Sequence, residues 1–340
     1  MAGFTIEPNI HTRSRPEFSG LLSGLVPGPL QSWGLLEVLP LFPAQPQAKA
    51  STAFAPALRS LKIVDVPSYG SMVLRNTCME SPVIIPMHIG FFQVGAQNHA
   101  TSRVLVLDAG ETLRADDCFC IQQAQGGLMK ESQQRFLMLP LPLRAPALRR
   151  RHEADFGRLW NDINHYTSSY GIRRGGHLER FFRPYFDRLV PFRHGLEPLP
   201  DQVGAAYFLA GKLVGIEVTP DRDNWEDLSA VFSIYGYAPA ALRAERHKWT
   251  SARTPVDLDD LHDLDDLAER LRDTRERERE TRLARVEECS KLSWDVASDE
   301  SRHGLSIVTV EKDGWLGQFV RQESDLVSLS VFRDMSDASE

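Results

Sequence analysis

The chain has 340 residues, of which 42% are apolar and 25% are charged, and its formal net charge is −7 at pH 7. This composition is that of an average globular protein, and it excludes a disordered or collagen-like chain. The acidic excess argues against nonspecific nucleic-acid binding, which depends on neutralising phosphates with Lys and Arg. No run of 18 apolar residues occurs, so no membrane-spanning helix is expected.

The N-terminal segment and the cysteines favour a cytoplasmic protein. Residues 1–30 are predicted to form an irregular arm, whose apolar stretch Leu21–Leu30 is short and interrupted by Pro27 and Pro29. That pattern is not typical of a signal peptide. The four cysteines are too few for a disulfide scaffold and fit a reducing compartment.

Residues 31–125 are predicted to be rich in β-strands. Leu35–Phe42 is the first predicted strand, and residues 43–57 are a predicted loop because Pro43, Pro46 and Pro56 occur among small and polar residues. Short apolar clusters separated by Pro and Gly then predict further strands. These clusters are Lys62–Val66, Met72–Leu74, Val83–Ile85, Ile89–Val94 and Val104–Leu107.

The middle of the chain changes to a helical pattern, and residues 147–195 are predicted to be mainly helical. Apolar residues recur at spacings near 3.6 in Arg149–Tyr166 and again in His177–Leu189, where Pro184 predicts a kink. Two apolar arms around Gly211 predict a β-hairpin over residues 204–218.

Residues 227–290 are predicted to be helical, with a break near Pro239. The segment 256–289 is highly charged and carries a stripe of apolar residues, namely Val256, Leu258, Leu261, Leu264, Leu267 and Leu271. It fits a solvated amphipathic helix, and a self-assembling coiled coil is the alternative. Arg275–Glu280 lacks apolar seam positions, which weakens that alternative.

Closing strands are predicted over residues 304–333, followed by a tail at 336–340. Strands come first, helices follow and strands close the chain, which favours an α+β fold. We expect a single domain over residues 31–335. Its β-rich N-terminal half and its C-terminal strands would form a sheet or sandwich core, with a helical layer from the middle of the chain.

Two groups of polar residues are candidates for ligand binding. Gln97, Asn98 and His99 follow an apolar run, and Gln122 and Gln123 begin a loop that continues to Gly127. Such side chains both donate and accept hydrogen bonds, so they suit amide, carbonyl or ribose groups. A turn capped by Asn98 and a plain polar loop are the structural alternatives.

Cys118 and Cys120 form a C-x-C pair, which would supply half of a zinc site. No second pair of Cys or His is close in sequence, so neither a metal nor a cofactor is predicted. Cys120 could instead act as a nucleophile with His99 as its base. A buried structural cysteine is the alternative.

Three segments together resemble the ARG and rhodanese-phosphatase-superfamily-associated protein domain, a bacterial family of unsettled function. The first runs from Gly90 to His99 and continues through Val104–Leu107 to Cys120-Ile121-Gln122. The second is Leu199–Val218, and the third is Ser233–Leu242; Leu326–Phe332 is similar to the family's final strand. The order is kept over residues 33–333.

The resemblance implies a context, since members of this family occur beside ADP-ribosylglycohydrolases and phosphatase-like proteins. The chain departs from the family pattern at His99, where Arg is usual, and at Gln122, where Glu is usual. Gly127 and Leu128 likewise replace an Arg-Trp pair. Losing the Arg and the Glu removes a possible charge pair, which favours binding without catalysis.

Three functions stay open at this point. The first is a non-catalytic or weakly catalytic accessory protein of an NAD- or ADP-ribose-linked stress or defence system, which recognises a nucleotide-type ligand or a partner protein. The second is a protein that self-assembles through the helix at 256–289. The third is a hydrolase or transferase that uses Cys120 and His99.

Overall fold

The computed structural model describes residues 22–45, 53–93, 96–123, 134–172, 176–250, 255–256, 258–259 and 261–336. These residues form antiparallel sheets and helices, which confirms the predicted α+β class. The strands are β1 (Leu25–Pro27), β2 (Gln31–Trp33), β3 (Leu36–Pro43), β4 (Leu61–Ser68), β5 (Ser71–Asn76), β6 (Val83–Ile85), β7 (Ile89–Gln93), β8 (His99–Ala100), β9 (Leu105–Leu107), β10 (Thr112–Ala115), β11 (Phe119–Cys120), β12 (Gln134–Met138), β13 (Gly204–Leu209), β14 (Lys212–Val218), β15 (Asp295–Arg302), β16 (Leu305–Lys312), β17 (Trp315–Gln322) and β18 (Asp325–Arg333). The helices are α1 (Ala57–Ser60), α2 (Leu141–Arg149), α3 (Trp160–Ser168), α4 (Glu179–Gly195), α5 (Arg222–Val231), a π-helix (Phe232–Tyr237), α6 (Ala238–Arg246) and α7 (Leu264–Ser290).

The largest sheet has nine strands and joins the start, the middle and the end of the chain. Its order is β1-β3-β13-β14-β18-β17-β16-β15, and β2 also pairs with β3. The predicted hairpin is β13–β14, and its turn places Ala210 and Gly211 at positive φ. Two positive φ angles match the twist of a tight hairpin. The C-terminal strands reach β3 through this hairpin.

Both faces of the nine-stranded sheet are buried. Along β13 the side chains of Ala205 and Tyr207 belong to one core cluster, and those of Ala206 and Phe208 belong to a second. Successive side chains of a strand point to opposite faces, so β13 must be apolar throughout. The first cluster also contains residues of α2 to α6 and of the smaller sheets, whereas α7 covers the second cluster.

The remaining N-terminal strands form three small sheets. Their orders are β10-β5-β4, β11-β8-β7-β12 and β6-β9. These sheets hold most of the predicted β-rich half. The pairing of the two-residue strands β8 and β11 brings His99 opposite Cys120.

The predicted arm over residues 1–30 is wrong in part, because Leu25–Pro27 forms the edge strand β1. Leu36–Pro43 is therefore the third strand of the described residues and not the first. The predicted loop at 43–57 ends where the short helix α1 begins, and its residues 46–52 lie outside the described residues.

The single helix predicted over Arg149–Tyr166 is also wrong. Helix α2 ends at Arg149, and the next helix begins at Trp160. The Arg158 side chain explains the interruption, because it donates hydrogen bonds to the carbonyl oxygens of Asp117, Arg150 and Asp155 and so holds a loop.

Helix α2 begins before the predicted helical region at 147–195, in a stretch that contains Pro142 and Pro146. Pro142 lies in the first turn, where a backbone N–H is not needed, whereas Pro146 removes one helical hydrogen bond. Every residue from Leu141 to Leu148 is buried. Tertiary packing, and not local propensity, therefore stabilises this helix.

The remaining helices differ from prediction mainly in their bounds. Helix α4 continues through Pro184 to Gly195, and the first of the helices predicted over 227–290 begins earlier, at Arg222. A π-helical turn, and not a break near Pro239, separates α5 from α6. Strand β15 was not predicted, because most of its residues are polar and do not alternate with apolar ones.

Among the described residues, no helix combines the length and the apolar character that crossing a bilayer would require.

Candidate functional site

The sequence-predicted residues Gln97, Asn98, His99, Cys120 and Gln122 lie together in the structure. His99 in β8 is the register partner of Cys120 in β11. Gln97, Asn98, His99 and Cys120 are buried, and Gln122 is half-buried. We call these five residues the polar knot.

Two hydrogen bonds hold the ring of His99 in one neutral form. Its Nδ1 donates to the carbonyl oxygen of Gln97 over 2.9 Å, and its Nε2 accepts from the backbone N–H of Gly70 over 3.0 Å. A nitrogen that accepts a backbone N–H carries no proton, so the assigned tautomer has its proton on Nδ1. The imidazole thus joins the β4–β5 turn to the segment before β8.

The Cys120 Sγ lies 3.8 Å from His99 Nε2, close enough for contact. Burial lowers the pKa of His99 to about 4, although its hydrogen bond to Gln97 acts in the opposite direction. Burial also raises the pKa of the Cys120 thiol to about 11. Both groups are therefore neutral at pH 7, and the thiolate that a nucleophilic cysteine needs is not formed.

The amide side chains of the polar knot form hydrogen bonds with other groups of the protein. Gln97 Nε2 donates to the carbonyl oxygen of Gln122, and Asn98 Oδ1 accepts from the backbone N–H of Gln93 over 2.9 Å. Gln122 Oε1 in turn accepts from the Asn98 backbone N–H over 3.2 Å. These bonds fix the strand end at Gln122 and leave Gln97 and Asn98 little capacity to bind a ligand directly.

The fifth candidate ligand residue, Gln123, is exposed beside the start of helix α4. Its backbone N–H donates to Gly176 over 3.1 Å, and Gln122 forms an isolated antiparallel bridge with His177. We call Gln123, Trp160, His177 and Arg180 the strand-end surface. Trp160 is half-buried, and a Cβ built on Gly176 would lie 3.0 Å from its Cβ and 3.1 Å from its Cγ, so the loop packs against the base of this side chain.

Part of the predicted polar loop lies outside the described residues, namely residues 124–127. Cys118 is buried, and its pKa is raised well above the usual range, mainly by burial. Within the described ranges, no three side chains of His, Cys, Asp or Glu converge to hold a metal ion.

We expect His99 to make the fold sensitive to acid. The unfolded side chain binds a proton near pH 6.5, but the folded one does so only near pH 4, so stability is lost as the pH falls through this window. At pH 5.0 the loss is about 2 kcal/mol relative to pH 7.5. Urea unfolding of the wild type and of His99→Gln at both pH values measures it.

The His99→Gln variant should lose less stability between these pH values than the wild type does. The matched control is His194→Gln, which replaces an exposed histidine near the end of α4 and should keep the wild-type pH dependence. An identical pH dependence for all three proteins would contradict a buried neutral His99.

A second polar centre, which was not among the predicted sites, lies between the nine-stranded sheet and the helices. Arg144 of α2 and Glu217 of β14 form an ion pair of 2.7 Å with both side chains fully buried. The Tyr237 hydroxyl donates to the same Glu217 oxygen over 2.7 Å, and Arg144 also donates to Ser330 Oγ over 2.6 Å. We call Arg144, Glu217, Tyr237 and Ser330 the buried centre.

Groups around the buried centre include unpaired polar atoms and a strained backbone conformation, and both destabilise the folded state. Arg144 Nε and Glu217 Oε2 have no hydrogen-bond partner among the described residues, and neither ring nitrogen of His88 has one. His88 also has φ +67°, and burial, with a smaller effect of Arg144, lowers its pKa well below the ordinary value. Unpaired polar atoms and a positive φ cost free energy, and both features cluster at functional sites.

A signal for the buried centre was present in the sequence. Glu217 lies in the second family-like segment, and Ser233 and Tyr237 lie in the third. Tyr237 stacks on Tyr207 with ring centroids 3.9 Å apart, and the Tyr207 hydroxyl reaches Ser233 Oγ over 3.3 Å. The two segments therefore meet at one place. Tyr237 also ends the π-helix, a distortion frequent at functional sites.

The chain matches the family model of the ARG and Rhodanese-Phosphatase-superfamily-associated Protein domain over residues 24–329. It therefore belongs to this family, as its motifs predicted. Comparisons with curated proteins and with solved structures found no match. The family has no settled function, and the association in its name suggests an accessory role.

Proposed function

We propose that this protein is a non-catalytic binding component of a bacterial stress or defence system that uses NAD or ADP-ribose, and that it recognises a nucleotide-type ligand. The observation that carries the proposal is the neutral, internally bonded state of His99 and Cys120. Membership of a family named for its association with other proteins supports an accessory role.

The chemistry of the polar knot supports binding over catalysis. A cysteine nucleophile needs a base whose lone pair is free to take its proton. The Nε2 lone pair of His99 instead accepts the Gly70 N–H, and burial shifts the pKa values of His99 and Cys120 away from neutrality in opposite directions. The alternative of a Cys–His hydrolase or transferase is therefore the weaker one.

The strand-end surface offers the groups that a nucleotide requires. The exposed Gln123 amide can both donate and accept hydrogen bonds, as the amide, carbonyl and ribose groups of a nucleotide require. Arg180 lies in the first turn of α4, and a guanidinium suits a phosphate. In this proposal Gln97, Asn98, His99 and Gln122 position the surface, and Gln123 contacts the ligand.

Calorimetric titration with ADP-ribose, NAD and 3′,5′-cyclic AMP tests the proposal. We expect at least one probe to bind, and Gln123→Ala/Arg180→Ala to weaken that binding at least tenfold, since an amide contact and a phosphate contact are both lost. Arg193→Ala is the matched control, because it removes an exposed arginine near the other end of α4.

Three outcomes would contradict the proposal. Flat heats with all three probes would reject a nucleotide-type ligand and favour recognition of a partner protein. An equal effect of Arg193→Ala would reject the strand-end surface. Conversion of ADP-ribose or NAD during incubation, detected by chromatography and abolished by Cys120→Ala, would reject the non-catalytic role.

A further inference from the structure

The N-terminal part of helix α7 extends past the sheet on which the rest of the helix lies. Val286 and Cys289 pack in the second core cluster, and Arg282 pairs with the buried Glu37 of β3 at 2.7 Å. Arg279 donates to the carbonyl oxygens of Pro27 and Gly28 beside the edge strand β1. From its C-terminal end to its N-terminal end, helix α7 therefore crosses the sheet towards the edge strand β1.

The first buried side chain of α7 is that of Thr274. The ten residues before it, 264–273, span about 15 Å of helix. We call this stretch the overhang.

The overhang carries an apolar seam that neither core cluster covers. Leu264 is 81% exposed, and Leu267 and Leu271 are half-buried. None of the three belongs to the residues packed against either cluster. Their spacing of three and then four residues is the heptad spacing of a helix that pairs with another helix.

The charges along this segment are separated and indicate which partner fits. Residues 257–269 contain seven Asp and Glu and no Lys or Arg, whereas residues 270–285 contain seven Arg and four acidic residues. Two parallel copies would place acidic residues against acidic residues. Two antiparallel copies would place the acidic part of each against the Arg-rich part of the other.

We propose that the overhang pairs in an antiparallel manner with the overhang of a second copy of this chain, about a two-fold axis near Leu267. Leu264 of each copy then faces Leu271 of the other, and Asp263 and Asp265 face Arg272 and Arg270. Such an interface is isologous and closes as a dimer. Because the seam is short and its charges are solvated, the dimer is expected to weaken as salt rises.

Sedimentation velocity of the full chain from 1 to 100 µM, at 50 and 500 mM salt, tests the pairing. We expect a dimer whose Kd rises at high salt. Leu264→Asp/Leu267→Asp should raise the Kd at least tenfold, with an unchanged far-UV circular dichroism spectrum. The matched control is Met79→Asp, which changes an apolar side chain that is 70% exposed elsewhere on the surface, and it should leave the Kd unchanged.

A charge exchange tests the antiparallel orientation. Asp265→Arg and Arg270→Asp should each weaken self-association, and an equimolar mixture of the two variants should restore dimers. A monomeric wild type at 100 µM, an unaffected Leu variant or a mixture that stays monomeric would each overturn the proposal. A monomer that dimerises only after deletion of residues 1–20 would assign the seam to the chain's own N-terminal segment and would overturn it too.

Discussion

Replacing Glu217 with leucine is expected to lower the free energy of unfolding by about 3–5 kcal/mol. The reason is the Arg144 guanidinium, which is fully buried and has Glu217 as its ion-pair partner at 2.7 Å. Without the carboxylate, Arg144 keeps a buried charge that has lost its ion-pair partner. The Tyr237 hydroxyl also loses the acceptor to which it donates over 2.7 Å. Urea unfolding at pH 7.5, followed by circular dichroism, measures the loss.

Companion variants separate the buried charge from simple loss of contacts. Arg144→Met/Glu217→Leu removes both charges, so it should recover most of the stability lost by the single variant. Glu217→Gln keeps a hydrogen-bond acceptor, so it should lose less stability than the leucine variant does. It replaces the leucine variant in the experiment if that variant does not fold. Lys312→Ala breaks an exposed pair with Asp295 and should leave the urea midpoint nearly unchanged. A loss below about 1 kcal/mol for Glu217→Leu would contradict the buried ion pair.

Gly215→Ala is expected to cost about 3 kcal/mol, because the buried centre leaves no room for a methyl group. A Cβ at Gly215 would lie 2.0 Å from the Tyr237 hydroxyl and 2.7 Å from its Cζ. Tyr237 is fully buried and is stacked on Tyr207, so it can make room only by leaving Glu217. Thermal and urea unfolding of the variant measure the cost.

The cost of Gly215→Ala should persist when Tyr237 is changed to phenylalanine, since the ring carbon Cζ still occupies the site. Gly24→Ala is the matched control, because a Cβ at Gly24 meets no atom within 4 Å, and it should leave stability nearly unchanged. A Gly215→Ala variant as stable as the wild type would show that the Tyr237 ring can move aside.

Local patterns predicted many of the elements, and they failed where packing opposed them. The β13–β14 hairpin was predicted because its turn residue Gly211 readily takes the positive φ that a tight hairpin needs. Helix α2 was missed because Pro142 and Pro146 lower helix propensity, whereas burial of every residue from Leu141 to Leu148 stabilises it. The loop after Arg149 was read as helix because its apolar spacing is helical, but Arg158 bonds its carbonyl oxygens.

In the candidate site, likewise, the local sequence predicted the residues but not the hydrogen bonds that their side chains form. Gln97, Asn98, His99, Cys120, Gln122 and Gln123 were singled out from the sequence, and pairing of β8 with β11 brings the first five together. Their types alone could not show that their polar groups bond to one another and to Gly70 and Gln93. The ligand-binding role of these residues stays a prediction, now centred on Gln123.

Two things followed from the sequence by itself, namely the α+β class and the family. Apolar periodicity and turn residues act over a few neighbours, and the family motifs are read in order along the chain, so neither needs a structure. Only the tertiary structure decided which polar groups face the protein and which face the solvent. Arg144 finds Glu217 and Ser330 at distances of 73 and 186 residues along the chain. Such partners set burial, protonation and charge balance, and they are neighbours in space alone.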